Sequence, residues 1–187
     1  VGVKSFKILD ELNKLSLKEE ISKKELITIL KKYARNISPY DLMLATARMR
    51  KDGEYVQKQY REKFLKIYIE NFLMRMKEVL DNDDELKGNI DKNKFINSFP
   101  LLKTTFEKER SETYNVDDDK FPLIYVITSL YTTFILNEPI HPVGSEFPGS
   151  LKVENRKGTY YCPVKDNQKD NEHAICHLCL AEQTPDI

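Results

Sequence analysis

Four residues in the last third of the chain, Cys162, Cys176, Cys179 and His141, have the side-chain types and spacing that hold a soft metal ion. Cys176-His177-Leu178-Cys179 is a Cys-x-x-Cys pair, whose two-residue spacing lets both sulfurs reach one ion. Cys162 falls on a segment expected to be the second strand of a hairpin, from which it can face that pair. Zinc prefers four ligands in a tetrahedron, with sulfur at about 2.3 Å and nitrogen at about 2.0–2.1 Å. Three thiolates therefore leave one place, for which His141, His173 and His177 are the candidates. His177 lies between two ligands, where the turn directs its side chain outward. His173 stands close to Cys176 and could serve locally. His141, braced by Pro142 at the start of an irregular segment, would tie that segment's entry to the site and ranks first. The expected ion is zinc, with an iron–sulfur cluster as the alternative because thiolates hold those too. Thioredoxin-type chemistry does not fit, since its Cys-x-x-Cys belongs to a β-α-β unit and none is visible.

The elements that must position these residues divide at Asn137. Residues 1–137 are expected to form a multi-helix domain. Phe6, Leu9, Leu12 and Leu15 recur at helical spacing. Ser22 with Glu25 is a capping box, and Leu26, Ile29, Leu30 and Tyr33 continue an apolar stripe. Ser38, Pro39 and Asp41 start a third helix that should stop at Asp52-Gly53. A long helix is expected over 54–80, with Phe64, Leu65, Tyr68, Phe72, Met76 and Leu80 on its inner side. Two shorter helices should flank Pro100, and the acidic run Asp117 to Asp119 should cap a buried helix over 121–136. Tyr55, Tyr60, Tyr68, Tyr125 and Tyr131 fall at helical spacings and are expected in the core, not on a base-stacking surface. Residues 83–94 superficially resemble a calcium loop, but Lys87 and Lys94 stand where oxygen ligands are required.

Beyond Asn137 the pattern changes. Pro139, Pro142, Gly144, Pro148 and Gly149 forbid regular helix. Residues 151–154 and 159–164 are rich in Val, Tyr and Thr and are joined by Asn155-Arg156-Lys157-Gly158, which predicts a hairpin. All three cysteines and all three histidines lie in this part, 138–187. The expected fold class is thus mainly α, a multi-helix domain carrying a small C-terminal β-hairpin and knuckle stapled by a metal.

Composition limits the function classes. Lys+Arg and Asp+Glu are equal at 30 each in 187 residues, so the basic excess usual in phosphate-binding proteins is missing and nucleic acid is not an expected partner. Lys152, Arg156, Lys157, Lys165 and Lys169 are offset locally by Glu154, Asp166, Asp170, Glu172, Glu182 and Asp186. The opening residues mix Lys, Asp and Glu among apolar ones, unlike a secretory signal. The longest apolar stretch, 121–136, is too short and polar for a bilayer span, so no membrane association is expected. Three cysteines in a chain expected to be cytosolic argue against a disulfide framework, which needs an oxidising compartment and an even count.

The strings His141-Pro142-Val143-Gly144, Phe147-Pro148-Gly149, Tyr160-Tyr161-Cys162-Pro163-Val164-Lys165 and Cys176-x-x-Cys179 resemble the signature of an uncharacterised family of methane-producing archaea, a domain of unknown function. The likeness covers residues 141 to 183. It implies a cytoplasmic archaeal protein, favours His141 over the other histidines, and carries no activity. The functional expectation is a metal-binding protein, with structural zinc, acting as an accessory, interaction or assembly subunit with another protein or complex. The alternative is an enzyme whose metal keeps an open position, with His141 or Glu146 moving protons beside a bound water. RNA binding by the hairpin's Lys and Tyr residues ranks third.

Overall fold

Ser22 and Ser38 open their helices by the same local chemistry. Glu25 N–H donates to Ser22 Oγ at 3.2 Å while Ser22 N–H donates to the Glu25 carboxylate at 3.0 Å. Asp41 N–H and Ser38 Oγ repeat the arrangement at 3.2 Å, with Pro39 in the first helical turn, where its missing N–H costs nothing. The computed structural model describes residues 4–82, 85–111, 120–171 and 174–185. It is mainly helical: α1 (Lys4–Ser16), α2 (Lys23–Ala34), α3 (Pro39–Asp52), α4 (Lys58–Asp81), α5 (Lys92–Asn97), α6 (Phe99–Ser111) and α7 (Phe121–Leu130). Short strands follow in the C-terminal part: β1 (Glu146–Phe147), β2 (Leu151–Lys152), β3 (Glu154–Arg156), β4 (Thr159–Cys162) and β5 (Glu182–Gln183).

Ion pairing at the α2 cap gives a pH dependence. Lys18 and then Ser22 hold the Glu25 carboxyl down at about 2, from an ordinary 4.5. A depressed folded value means the contribution is complete above about 4.5 and lost as pH falls through about 2. Because the group is well solvated, the effect is expected to be about 1 kcal/mol or less. Glu25→Gln should flatten the acid limb of a stability-against-pH curve measured by urea midpoints; unchanged curvature would remove Glu25 from the explanation.

Glycine ends α3 at Gly53 for a packing reason: a Cβ there would meet Leu65 at 2.5 Å. A 3-10 turn over Gly53–Tyr55 then separates α3 from α4, so α4 begins at Lys58 and not at residue 54. Its inner seam also differs from expectation. Leu65, Ile69, Phe72, Met76 and Val79 are buried, whereas Leu80 is 36% exposed. A stripe spaced strictly by four drifts about 40° per step on a 3.6-residue helix. Over 64–80 that drift carries Leu80 out and turns Phe64 and Tyr68 toward the C-terminal part.

α7 runs through the centre, against α2, α3, α4 and α6. Ile124, Val126, Ile127 and Leu130 are fully buried. The helix continues to Leu136 as expected, but its final stretch, Tyr131–Leu136, widens to π geometry. It stops at Asn137, which is left-handed (φ 55°, ψ 49°), and Glu138 N–H donates to Thr132 C=O at 3.0 Å. Lys120 precedes the helix and reaches Asp41 at 2.9 Å; the acidic run 117–119 lies outside the described residues. The break near Pro100 falls at Ser98, with Pro100 inside the first turn of α6. The segment resembling a calcium loop serves α2 and α5: Ile90 N–H donates to Ile21 C=O at 2.9 Å, and Asp91 caps α5 at Lys94 N–H. Its Asp83 and Asp84 lie outside the described residues. Of the tyrosines, Tyr131 is buried in the core, Tyr68 and Tyr125 are half-buried, and Tyr60 accepts Gly149 N–H at 3.2 Å.

The hairpin register also departs from expectation. Arg156 pairs with Thr159, so the turn is the two residues Lys157 (φ 54°) and Gly158 (φ 91°), both left-handed as a tight hairpin turn requires. Leu151-Lys152 instead pairs with Glu146-Phe147. Val153 is buried and exchanges bonds with Gly144 and Ser145, which draws the chain away from a single long hairpin. β5 adds to β4 in parallel. Among the described residues, no helix is long and apolar enough to cross a membrane.

Candidate metal centre

The three cysteines arrive from two turns. Cys162 ends β4, where its C=O accepts Thr184 N–H at 3.1 Å beside β5. After Pro163, the nearby amides of Val164 and Lys165 favour the charged form of the Cys162 sulfur, against the larger effect of burial. Cys176 sits in a 3-10 turn over Ile175–His177 and Cys179 follows it, its N–H donating to Ile175 C=O at 3.2 Å. Ile140 N–H points at Cys179 Sγ from 3.3 Å, joining the entry of the segment to the knuckle. Cys162, Cys179, Ile140, Val153 and Ala181 form a second small core of their own.

His141, Cys162, Cys176 and Cys179 line one cavity of about 10 Å³, together with Ile140, Lys165 and Ile175. That is about the room of one water-sized sphere. Among the described residues, no three His, Cys, Asp or Glu side chains stand in an arrangement that holds an ion, so the four share a wall without forming a coordination sphere. Their chemistry, three sulfurs and one imidazole around a space for one small sphere, fits zinc. All three thiols are free. Burial, first, and the neighbouring cysteines push the Cys176 thiol up; burial likewise raises Cys162, against the pull of the Val164 amide. A cation entering this site would have to displace those protons.

His141 packs among aromatic rings: Tyr68 at 5.4 Å, Phe147 at 5.6 Å and Phe64 at 5.7 Å between centroids. This enclosure lowers its imidazole to about 4, so the ring is neutral and able to offer a lone pair. His177 is exposed, with Nε2 2.8 Å from Asn171 C=O. His173 lies outside the described residues. Glu146 is engaged by Lys63 and, at 3.6 Å, by Lys152.

Two features have no counterpart in the sequence reading. Lys165 donates to Cys179 C=O at 3.0 Å and to Ala181 C=O, bringing a positive charge to the cavity wall. Its position in Cys-Pro-Val-Lys was the available signal. Two of the rings around His141, Phe64 and Tyr68, come from α4, where they belong to an ordinary apolar stripe in the sequence, and the third, Phe147, comes from β1.

The fold and site define a helical protein whose short C-terminal strands gather cysteine and histidine side chains. The chain belongs to the family described as uncharacterized protein conserved in archaea (DUF2115), whose model matches residues 22–184. The match takes in most of the helices as well as the C-terminal strings. A UPF0305 protein of Methanothermobacter thermautotrophicus is 34% identical over 160 residues, covering 86% of this chain and 95% of the relative. Another, of Methanocaldococcus jannaschii, is 31% identical over 169 residues, covering 88% and 98%. One of Methanopyrus kandleri is 38% identical over 80 residues, covering 43% and 56%. No solved structure matches the chain.

Proposed function

We propose that Cys162, Cys176, Cys179 and His141 hold one structural zinc ion that staples the turns and strands of residues 138–187 to one another, and that the protein serves as a cytoplasmic accessory or assembly subunit for another protein. The carrying observation is that these four residues, drawn from three separate stretches of chain, line a single cavity of about 10 Å³. A set of three thiolates and one imidazole fills a tetrahedron and leaves no position for a substrate, which favours a structural role over catalysis. Lys165 at the wall offsets the charge that three thiolates bring. Exposed Tyr40, Met43 and Leu44 on α3 add apolar surface of the kind a protein partner covers.

Elemental analysis of protein purified without chelator should find about one zinc per chain in a colourless solution. His141→Ala should weaken zinc retention by about 10-fold or more in a chelator competition, while His177→Ala leaves it nearly unchanged. A metal-free protein would overturn the proposal. A brown solution absorbing near about 400 nm would move the centre to the iron–sulfur class. Full retention by His141→Ala would remove His141 from the ligand set; His173→Ala would then separate a histidine replacement from a water in the fourth place, and only the water would favour a metal-dependent enzyme.

A further inference from the structure

A larger cleft of about 390 Å³ opens between α3, α4 and α7, a size in the usual range for small-molecule sites. Phe64 and Tyr68 line it from α4, and Phe121 and Tyr125 from α7. Each pair sits one helical turn apart and lies ring against ring, at 5.6 Å with 23° between planes on α4 and 5.9 Å with 31° on α7. A stacked pair on α4 and a tilted pair on α7 make a wall for a flat, conjugated body. The cleft is open to solvent and mixes these rings with polar side chains, so a ligand would need both an apolar body and a polar group.

The polar residues of the wall include Arg48 and Asp52 of α3. The Arg48 guanidinium lies over the Phe121 ring, 4.7 Å from its centroid. Its ion pair with Asp52 is loose, at 3.8 Å, and the Asp52 side chain is 62% exposed. An anion arriving on a bound ligand can join Asp52 at the guanidinium, whose five N–H donors exceed what one carboxylate accepts. The guanidinium's flat fork suits that group, while the ring beneath it continues the aromatic wall.

We infer that this cleft binds a planar aromatic acid, its ring system against the Phe64–Tyr68 and Phe121–Tyr125 pairs and its anionic group at Arg48. The cleft and the cysteine cavity have no lining residue in common, although Phe64 and Tyr68 of the cleft also pack against His141. The probe is anilinonaphthalene sulfonate, a fused aromatic body carrying one anion, titrated into the full chain and followed by fluorescence, with naphthoate as a non-fluorescent competitor. Saturable binding at one site is expected, displaced by naphthoate, weakened about tenfold by Arg48→Gln, and abolished by Val56→Trp, which fills the cleft from its rim without altering charge. Circular dichroism of both variants establishes that they are folded. Absence of saturable binding, or binding that Val56→Trp leaves unchanged because the dye sits on the exposed α3 face, would overturn the proposal. Equal affinity of Arg48→Gln would overturn the assignment of an anion.

Discussion

Replacing Cys176 by Ser is expected to remove metal binding and loosen the sheet built from β3, β4 and β5, while α1–α7 keep their helical signal. Structural zinc contributes on the order of 10 kcal/mol of binding free energy to small modules, far more than this segment's own core supplies. That core is Ile140, Val153, Cys162, Cys179 and Ala181, with few large side chains among them. The loosening should be uneven. Phe147 packs against Phe64 at 5.8 Å, Glu146 pairs with Lys63, and Gly149 bonds to Tyr60, so the β1–β2 hairpin is docked on α4 without help from a metal. Hydrogen exchange should therefore rise over residues 157–183 and stay low near 146–147, with far-UV circular dichroism nearly unchanged. Protection retained across both regions would mean that packing alone orders the segment.

Phe95→Ala should cost about 3–5 kcal/mol, a large part of the roughly 5–15 kcal/mol that holds a domain together. Phe95 is fully buried and meets Phe99 at 5.3 Å and Phe134 at 5.5 Å, both edge to face. It is the buried residue of α5, a six-residue helix that cannot persist without tertiary support. Its loss opens a cavity between α5, α6 and the end of α7 at once. Denaturant titration reads the change as a lowered midpoint with the slope preserved, and Phe95→Leu should recover about half of it. A loss below about 1 kcal/mol would show that the core collapses around the gap.

What could be read from the sequence was what local chemistry decides. Ser22-x-x-Glu25 and Ser38-Pro39-x-Asp41 fix helix starts within four residues, and both form as expected. The change of character at Asn137 was equally plain, because Pro and Gly act on their own φ. The α4 seam was not legible, since a 3-10 turn ahead of the helix and the drift of a four-residue spacing decide together which of Val79 and Leu80 turns inward. Nor was the division of residues 151–156 between two hairpins, which depends on Val153 finding Gly144 and Ser145. For the candidate centre, residue types and Cys-x-x-Cys spacing named the donors. The rings around His141 and the Lys165 bridge to Cys179 arise from distant segments meeting, and spacing carries no trace of them.

Asn137 has an evolutionary consequence. At φ 55° the backbone there admits glycine freely and Asn or Asp at modest cost, whereas a β-branched residue meets its own carbonyl, at about 1–2 kcal/mol or more. The position thus selects most strongly against Val, Ile and Thr, while Lys157 at φ 54° shows that an unbranched side chain can hold the same conformation. Because Asn137 sits where the widened helix hands over to the strands, a change there would redirect the whole C-terminal part as one piece instead of altering a single contact.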